Sequence, residues 1–161
     1  MGKSVDIGEA ASATDIAAVQ ELWAQYWRSI GLPLDFQGFA EELRTLPGKY
    51  APPAGRLLLA RIDGQPAGTG AFRPLSVNAR RDACEAKRLY VCPAYRRRGV
   101  AGLLLARLIE EARLSGYRNL YGDTLATMTS ALELYRNMGF EEVGPYSKDP
   151  TPGAIYLRLS L

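Results

Sequence analysis

Three consecutive arginines, Arg96, Arg97 and Arg98, stand before Gly99 and the apolar run that opens at Val100. Upstream, Cys84 to Val91 suits a pleated strand, and Pro93, which has no N–H for a ladder, ends it. Downstream, Val100, Leu103, Leu104, Leu108 and Ala112 recur at helical spacing. The segment therefore reads strand, tight basic turn, helix. The first N–H groups of a helix have no internal partner and carry the positive end of its dipole. Small residues let a phosphate approach that backbone, and three guanidinium groups add charge, so the turn is suited to a diphosphate. A solvated turn ahead of a surface helix is the plainer reading. The spacing differs from both the P-loop and the Gly-x-Gly-x-x-Gly dinucleotide motif.

The chain has no histidine, which removes Ser-His-Asp and Cys-His triads and histidine metal sites. Acid–base work falls to Glu, Asp, Tyr, Lys or a thiol, and no metal is expected. Cys84 and Cys92 lie on or beside one extended strand, too far apart to pair. They read as free thiols of a reducing, cytoplasmic compartment.

These groups must be held by a fold, and the composition suits one soluble domain over residues 1–161, with 47% hydrophobic and 23% charged residues. A net charge of +3 is too mild for nucleic acid as the main partner. Arg107 and Arg113 are mixed with Glu110 and Glu111, as on a solvated helix face. No apolar run is long enough to span a membrane, and the N-terminus lacks the apolar core of a signal peptide. Gly2-Lys3-Ser4 resembles a P-loop tail without the upstream glycine or strand.

A first strand is expected over Val5–Ala10. A helix capped at Thr14-Asp15 follows, with Ile16, Val19, Leu22, Trp23, Tyr26 and Ile30 near helical spacing. Phe36, Phe39, Ala40 and Leu43 mark a second helix, stopped by Pro47-Gly48. Arg56–Ile62 and Gln65–Pro74 read as a hairpin about Asp63-Gly64, with Gly68 and Gly70 leaving room for close packing or a bulge. Ser76–Asp82 is a polar turn before the central strand. Gly116 caps the long helix, and Asn119–Thr124 returns as a strand parallel to the central one. A helix over Met128–Met138, a strand from Phe140, an excursion over Pro145–Pro152 and an alternating strand over Ala154–Leu161 complete a mixed α/β domain.

Arg96-x-x-Gly99-x-Ala101 between a strand and a helix resembles the acyl-CoA signature of the GNAT superfamily of N-acetyltransferases. Ala131-x-x-Leu134-Tyr135-x-x-x-Gly139-Phe140 is similar to its second signature, and Cys84–Val91 to its central strand. The ending around Pro152-Gly153-Ala154 resembles small bacterial members. The element order matches too. The resemblance implies a mixed sheet of about seven strands and about four helices. An antiparallel meander comes first, and a parallel central pair splays at the cofactor site.

It also implies acetyl-CoA as cosubstrate and attack of an amine on the thioester in a ternary complex. Backbone groups of Leu89, Tyr90 and Val91 would pair with the pantetheine arm. Arg96, Arg97, Arg98, Gly99, Val100, Ala101 and Gly102 would hold the diphosphate, with Thr124 and Ser130 completing the cofactor set. Tyr135, whose ordinary phenol pKa lies near 10, would protonate the leaving thiolate, and Glu85 would serve as base. The plainer readings are a core tyrosine and a carboxylate paired with Lys87, Arg88 or another arginine. The acceptor pocket is expected from the N-terminal helices, the Gly68–Pro74 strand and the Tyr146–Pro152 loop. Tyr26, Trp27, Arg28, Phe39, Arg73, Arg88 and Tyr146 are its candidates, and several arginines favour an acceptor bearing a carboxylate or phosphate. The expected partner is a small-molecule amine, with a protein lysine or N-terminus as second acceptor class. A non-catalytic acyl-CoA-binding module is the alternative of a different kind. The chain is expected as a monomer or a homodimer.

Overall fold

The computed structural model describes residues 4–77, 80–146 and 151–161. Its strands are β1 (Val5–Glu9), β2 (Arg56–Ile62), β3 (Gln65–Val77), β4 (Arg80–Val91), β5 (Asn119–Leu125), β6 (Glu141–Val143) and β7 (Ala154–Ser160). Its α-helices are α1 (Ala13–Ile30), α2 (Phe39–Arg44), α3 (Val100–Leu114) and α4 (Thr129–Asn137). The strands form one sheet in the order β1-β2-β3-β4-β5-β7-β6, antiparallel except for the β4–β5 pair. This is the expected mixed α/β architecture. Gly2 and Lys3, and residues 147–150 of the expected acceptor loop, lie outside the described residues.

The alternation of each strand buries both faces of the sheet. Leu58, Phe72, Cys84, Ala86, Leu120 and Leu157 pack on one face under Leu104, Leu105 and Leu108 of α3 and Tyr135 of α4. Leu57, Leu59, Ala71 and Tyr90 pack on the other under Val19, Leu22, Trp23 and Trp27 of α1, with Phe39 and Tyr50. The domain thus has three layers, and any opening through the sheet connects two helical layers.

Local boundaries differ from the sequence reading where tertiary or capping chemistry decides. Helix α1 is capped by Ser12 rather than Thr14, because the Asp15 N–H donates to Ser12 Oγ at 3.1 Å while Asp15 reaches back to the Ser12 N–H. The second helix is shorter than expected: a 3₁₀ turn over Phe36–Gly38 precedes α2, and Gly38 at φ +71° separates them. Strands β3 and β4 run past Pro74 and start before Cys84, since pairing of Leu75 with Ala83 and Val77 with Arg80 supplies backbone bonds that need no apolar side chains. Asp63 and Gly64 both adopt positive φ, as a two-residue hairpin turn requires.

Candidate active site

Strand β4 carries the site. Along β3, Thr69 faces Tyr90 but Ala71 faces Lys87, so Arg88 and Leu89 together oppose Gly70. This is a β-bulge, and Arg88 takes φ +59° to form it. Gly70 has no room for more: a Cβ there would lie 3.0 Å from Leu108 Cδ1. On its other edge β4 pairs with β5 only from Ala83 opposite Asn119 to Ala86 opposite Gly122. Strand β5 continues alongside β7 to Leu125, so the sheet splits between β4 and β5. The Lys87–Val91 edge facing the split has no ladder partner on β5, and such an edge presents backbone donors and acceptors. The splay expected at Leu89, Tyr90 and Val91 is present.

The split opens as a cleft to solvent. Tyr26, Trp27, Ile30 and Leu32 wall it from α1 and the turn that follows. Lys87, Arg88 and Leu89 wall it from β4, Asp123 and Thr124 from β5, and Met128, Ala131 and Tyr135 from α4 and its approach. A groove continues along Leu89, Tyr90, Val91 and Arg96 on one side and Thr127–Ala131, including exposed Ser130, on the other. Thr124 is 8% exposed, and its hydroxyl donates to Met128 Sδ at 3.6 Å.

The basic turn is built as the sequence suggests. Gly99, at φ +77°, caps α3 without any side-chain hydrogen bond, and the first helical bond is Leu103 N–H to Gly99 carbonyl at 3.1 Å. The N–H groups of Val100, Ala101 and Gly102 are therefore left by the helix for another acceptor. Nothing stands within 4 Å of where a Gly99 Cβ would be, so the approach is open. Val100 is 2% exposed and can offer only its backbone. Arg96 turns back instead of outward: its Nε donates to the Val91 carbonyl at 2.9 Å and its guanidinium lies 5.6 Å over the Tyr90 ring. Arg97, at φ +65°, and Arg98, over the Tyr95 ring at 5.7 Å, stay exposed.

Tyr135 reaches the split from the α3–α4 face. Its ring lies over Gly122, where a Cβ would come within 3.4 Å, and stands edge-on to Phe140 at 5.0 Å. Among the described residues its hydroxyl has no hydrogen-bond partner. Burial pushes its pKa well up, and Tyr26, Asp123 and Glu85 add to the shift. The phenol therefore stays protonated, as a proton donor must.

The opposite face of the split holds a buried chain of ion pairs. Asp123 pairs with Lys87 at 3.5 Å and Lys87 with Glu85 at 3.4 Å. Glu85 pairs with Arg73 at 3.4 Å, Arg73 with Glu42 at 3.3 Å, and Glu42 with Arg88 at 3.2 Å. The Tyr50 hydroxyl donates to Glu42 at 2.7 Å. Arg88 is caged by Trp27 at 4.9 Å, Phe39 at 5.2 Å and Trp23 at 5.8 Å. The side chain that forms the bulge is thus pinned by α1 and α2.

This network shows where the expected acceptor residues stand. Glu85 is held between Arg73 and Lys87, as its plainer reading foresaw, and does not line the cleft. Arg73 and Arg88 already have carboxylate partners, so neither stands free for an acceptor carboxylate. Arg28 is two-thirds exposed, lies beside Glu21 at 3.7 Å and is absent from the cleft wall. Trp27 and Phe39 stack at 4.1 Å as core, although Trp27 also reaches the cleft. Tyr26 stacks on Tyr90 at 5.5 Å and lines both cleft and groove. Tyr146 packs between Tyr121 and Tyr156, each ring 5.1 Å away. Sequence reasoning missed Asp123, Lys87 as a cleft residue, and Met128. An aspartate inside the otherwise alternating strand β5 was the one available signal, since strands are poor in Asp.

Comparison with known proteins agrees with this geometry. The profile of the Acetyltransferase (GNAT) family matches residues 16–140. An uncharacterised N-acetyltransferase of Schizosaccharomyces pombe is 34% identical over 148 residues, covering 91% of this chain and 89% of its own. A GNAT-family acetyltransferase of Staphylococcus aureus Mu50 shares the fold with a TM-score of 0.80 at 19% identity, over 98% of this chain and 99% of its own. The Salmonella typhimurium protein yncA, whose structure holds its cofactor acetyl-CoA, superposes with a TM-score of 0.70 at 23% identity, over 98% and 94%. The chain belongs to the GNAT acetyltransferase family and is built as an acyl-CoA-dependent acyltransferase.

Proposed function

We propose that the protein transfers an acetyl group to a primary amine of a small molecule by direct attack within a ternary complex. The observation that carries this reading is the split at Ala86–Gly122, with an unpartnered phenol on one side and a lined cleft on the other. The donor set fits acetyl-CoA. The uncapped α3 N-terminus with Arg97 and Arg98 suits a diphosphate, and the free β4 edge suits the amides of the pantetheine arm. When bound, acetyl-CoA supplies a thioester whose C–S bond breaks as the C–N bond to the amine forms.

The chain's own residues do the rest. The α3 terminus and the β4 edge orient one reactant, while Tyr26, Ile30 and Leu32 receive the other, so that reaction is effectively unimolecular. Tyr135 gives its phenolic proton to the departing sulfur. A carboxylate at the foot of the split takes the amine's proton. Glu85 is the candidate by strand position, and Asp123 is the carboxylate that lines the cleft. The free thiols Cys84 and Cys92 accord with a cytoplasmic location.

The test is thiol release from acetyl-CoA over a panel of primary amines, with calorimetric titration of acetyl-CoA alongside. Tyr135→Phe should lower kcat about 100-fold, within the usual range for a general acid, while acetyl-CoA affinity changes less than about twofold. An unchanged rate would remove Tyr135 from the mechanism. Absence of acetyl-CoA binding by the parent protein would sink the cofactor assignment.

A further inference from the structure

The register of the split sheet sorts the candidate groups by face. Glu85 lies opposite Tyr121 across the parallel pair, and Asp123 lies opposite Tyr156 across the antiparallel pair of β5 with β7. Directly opposed residues share a face. Glu85, Lys87, Tyr121, Asp123 and Tyr156 therefore all point toward the α1–α2 layer, whereas Tyr135 approaches from the other layer. Asp123 is the first β5 residue past the last paired row, and Lys87 is its counterpart on β4. Of the carboxylates in the ion chain, Asp123 alone borders the cleft among the described residues. Its side chain keeps 21% of its surface exposed, against 5% for Glu85.

A second observation lies on the strand beside Asp123, behind the cleft wall. Among the described residues the hydroxyls of Tyr146 and Tyr156 are buried without a well-formed hydrogen bond, with Glu85 standing near the Tyr146 hydroxyl. Tyr156, the cross-strand neighbour of Asp123, is only 5% exposed. Buried hydroxyls are normally satisfied, so the Tyr156 hydroxyl calls for a polar atom that the described residues do not supply. Burial raises the pKa of both phenols, and the nearby charges of Glu85 and Asp123 add to it. Phenol oxygens and a carboxylate together accept hydrogen bonds from an ammonium group.

From this juxtaposition we propose that Asp123, with the phenols of Tyr146 and Tyr156, forms the subsite for the nitrogen of a primary amine, and that Asp123 accepts its proton. The proposal rests on the amine-acetylating reading above. The charged and titratable groups facing Asp123 are Lys87 and Glu85 from β4, Tyr146 and Tyr156 from the β7 side, Tyr26 from α1 and Tyr135 from α4. Lys87 pairs with Asp123 at 3.5 Å, and Glu85 acts through Lys87 as a positioning residue. The proton balance closes. The bound ammonium gives one proton to Asp123, which returns it to solvent. The nitrogen's second proton replaces, through solvent, the one that Tyr135 gives to sulfur.

The test uses the full chain and whichever amine of the panel is turned over fastest by the parent. Asp123→Asn, which conserves size, should lower kcat/KM for the amine at least 100-fold at pH 7, with acetyl-CoA affinity within twofold as the control for folding. Its kcat/KM should then climb about tenfold per pH unit toward the amine's own pKa, because only the free base is left to react, while the parent profile levels off earlier. Tyr156→Phe should raise KM more than it lowers kcat, and Glu85→Gln should lower kcat/KM about tenfold without the steeper pH profile. A loss below threefold in Asp123→Asn, or a larger loss in Glu85→Gln, overturns the assignment of Asp123 and leaves the acetyltransferase reading standing. A parent protein that binds acetyl-CoA yet acetylates no amine of the panel overturns that reading and this subsite with it.

Discussion

Two groups of cations serve the same site in opposite ways. Arg97 and Arg98 stand exposed on the turn before α3, with no carboxylate partner among the described residues. Lys87, Arg73 and Arg88 are buried or nearly so, and each is matched to Glu42, Glu85 or Asp123. A cation can recognise an anionic ligand only where the protein has not already supplied the counter-ion. The exposed pair is therefore open to an anionic ligand, while the buried cations are matched within the chain and tie the bulge of β4 to α2 and to β5. Arg96 falls between the two, because it lies in the basic turn but holds the Val91 carbonyl at the strand end.

Arg88 carries the largest expected effect. Arg88→Met removes the cation from a buried pair and from its aromatic cage, leaving the Glu42 carboxylate short of a partner. A loss of about 3 kcal/mol in urea unfolding is expected. A loss below about 1 kcal/mol would show that the network is screened like a surface one.

The exposed pair should behave in the reverse sense. Arg97→Glu with Arg98→Glu should weaken acetyl-CoA binding about 100-fold, near 2.7 kcal/mol, with an unfolding midpoint close to the parent's. Parent affinity should also fall as salt is raised, because exposed charges are screened. Titration at low and high salt checks both, and a double variant with parent affinity would return the turn to the status of a solvated loop.

The smallest effect sharpens the contrast. Arg28→Ala removes an exposed cation beside Glu21, and should cost at most about 0.5 kcal/mol and leave the amine KM within twofold. A tenfold rise in KM would bring Arg28 back into the acceptor site.

Much of this was legible in the chain. Strand β2 has the expected bounds, because a continuous apolar run ending in Asp63-Gly64 leaves little freedom. The turn from Arg96 to Gly102 needed only local chemistry: a proline to stop a strand, a glycine free to take φ +77°, and an apolar stripe. Glu85 and the arginines were harder. Their roles hang on partners such as Glu42, which lies 31 positions from Arg73 and 46 from Arg88. No local pattern announces a pair at that separation.

The order of elements, the basic turn, the tyrosine before Gly139-Phe140 and the family that these imply are legible in the chain alone. Those features are written in propensity, spacing and backbone freedom, which act over a few residues. The fold alone sets Arg88 in the bulge where β4 leaves β5, holds Glu85 between Lys87 and Arg73, and brings Asp123 to the cleft. Each follows from which side chains the two helical layers bring within about 3–4 Å, the range over which charge pairing decides whether a group is free for a ligand.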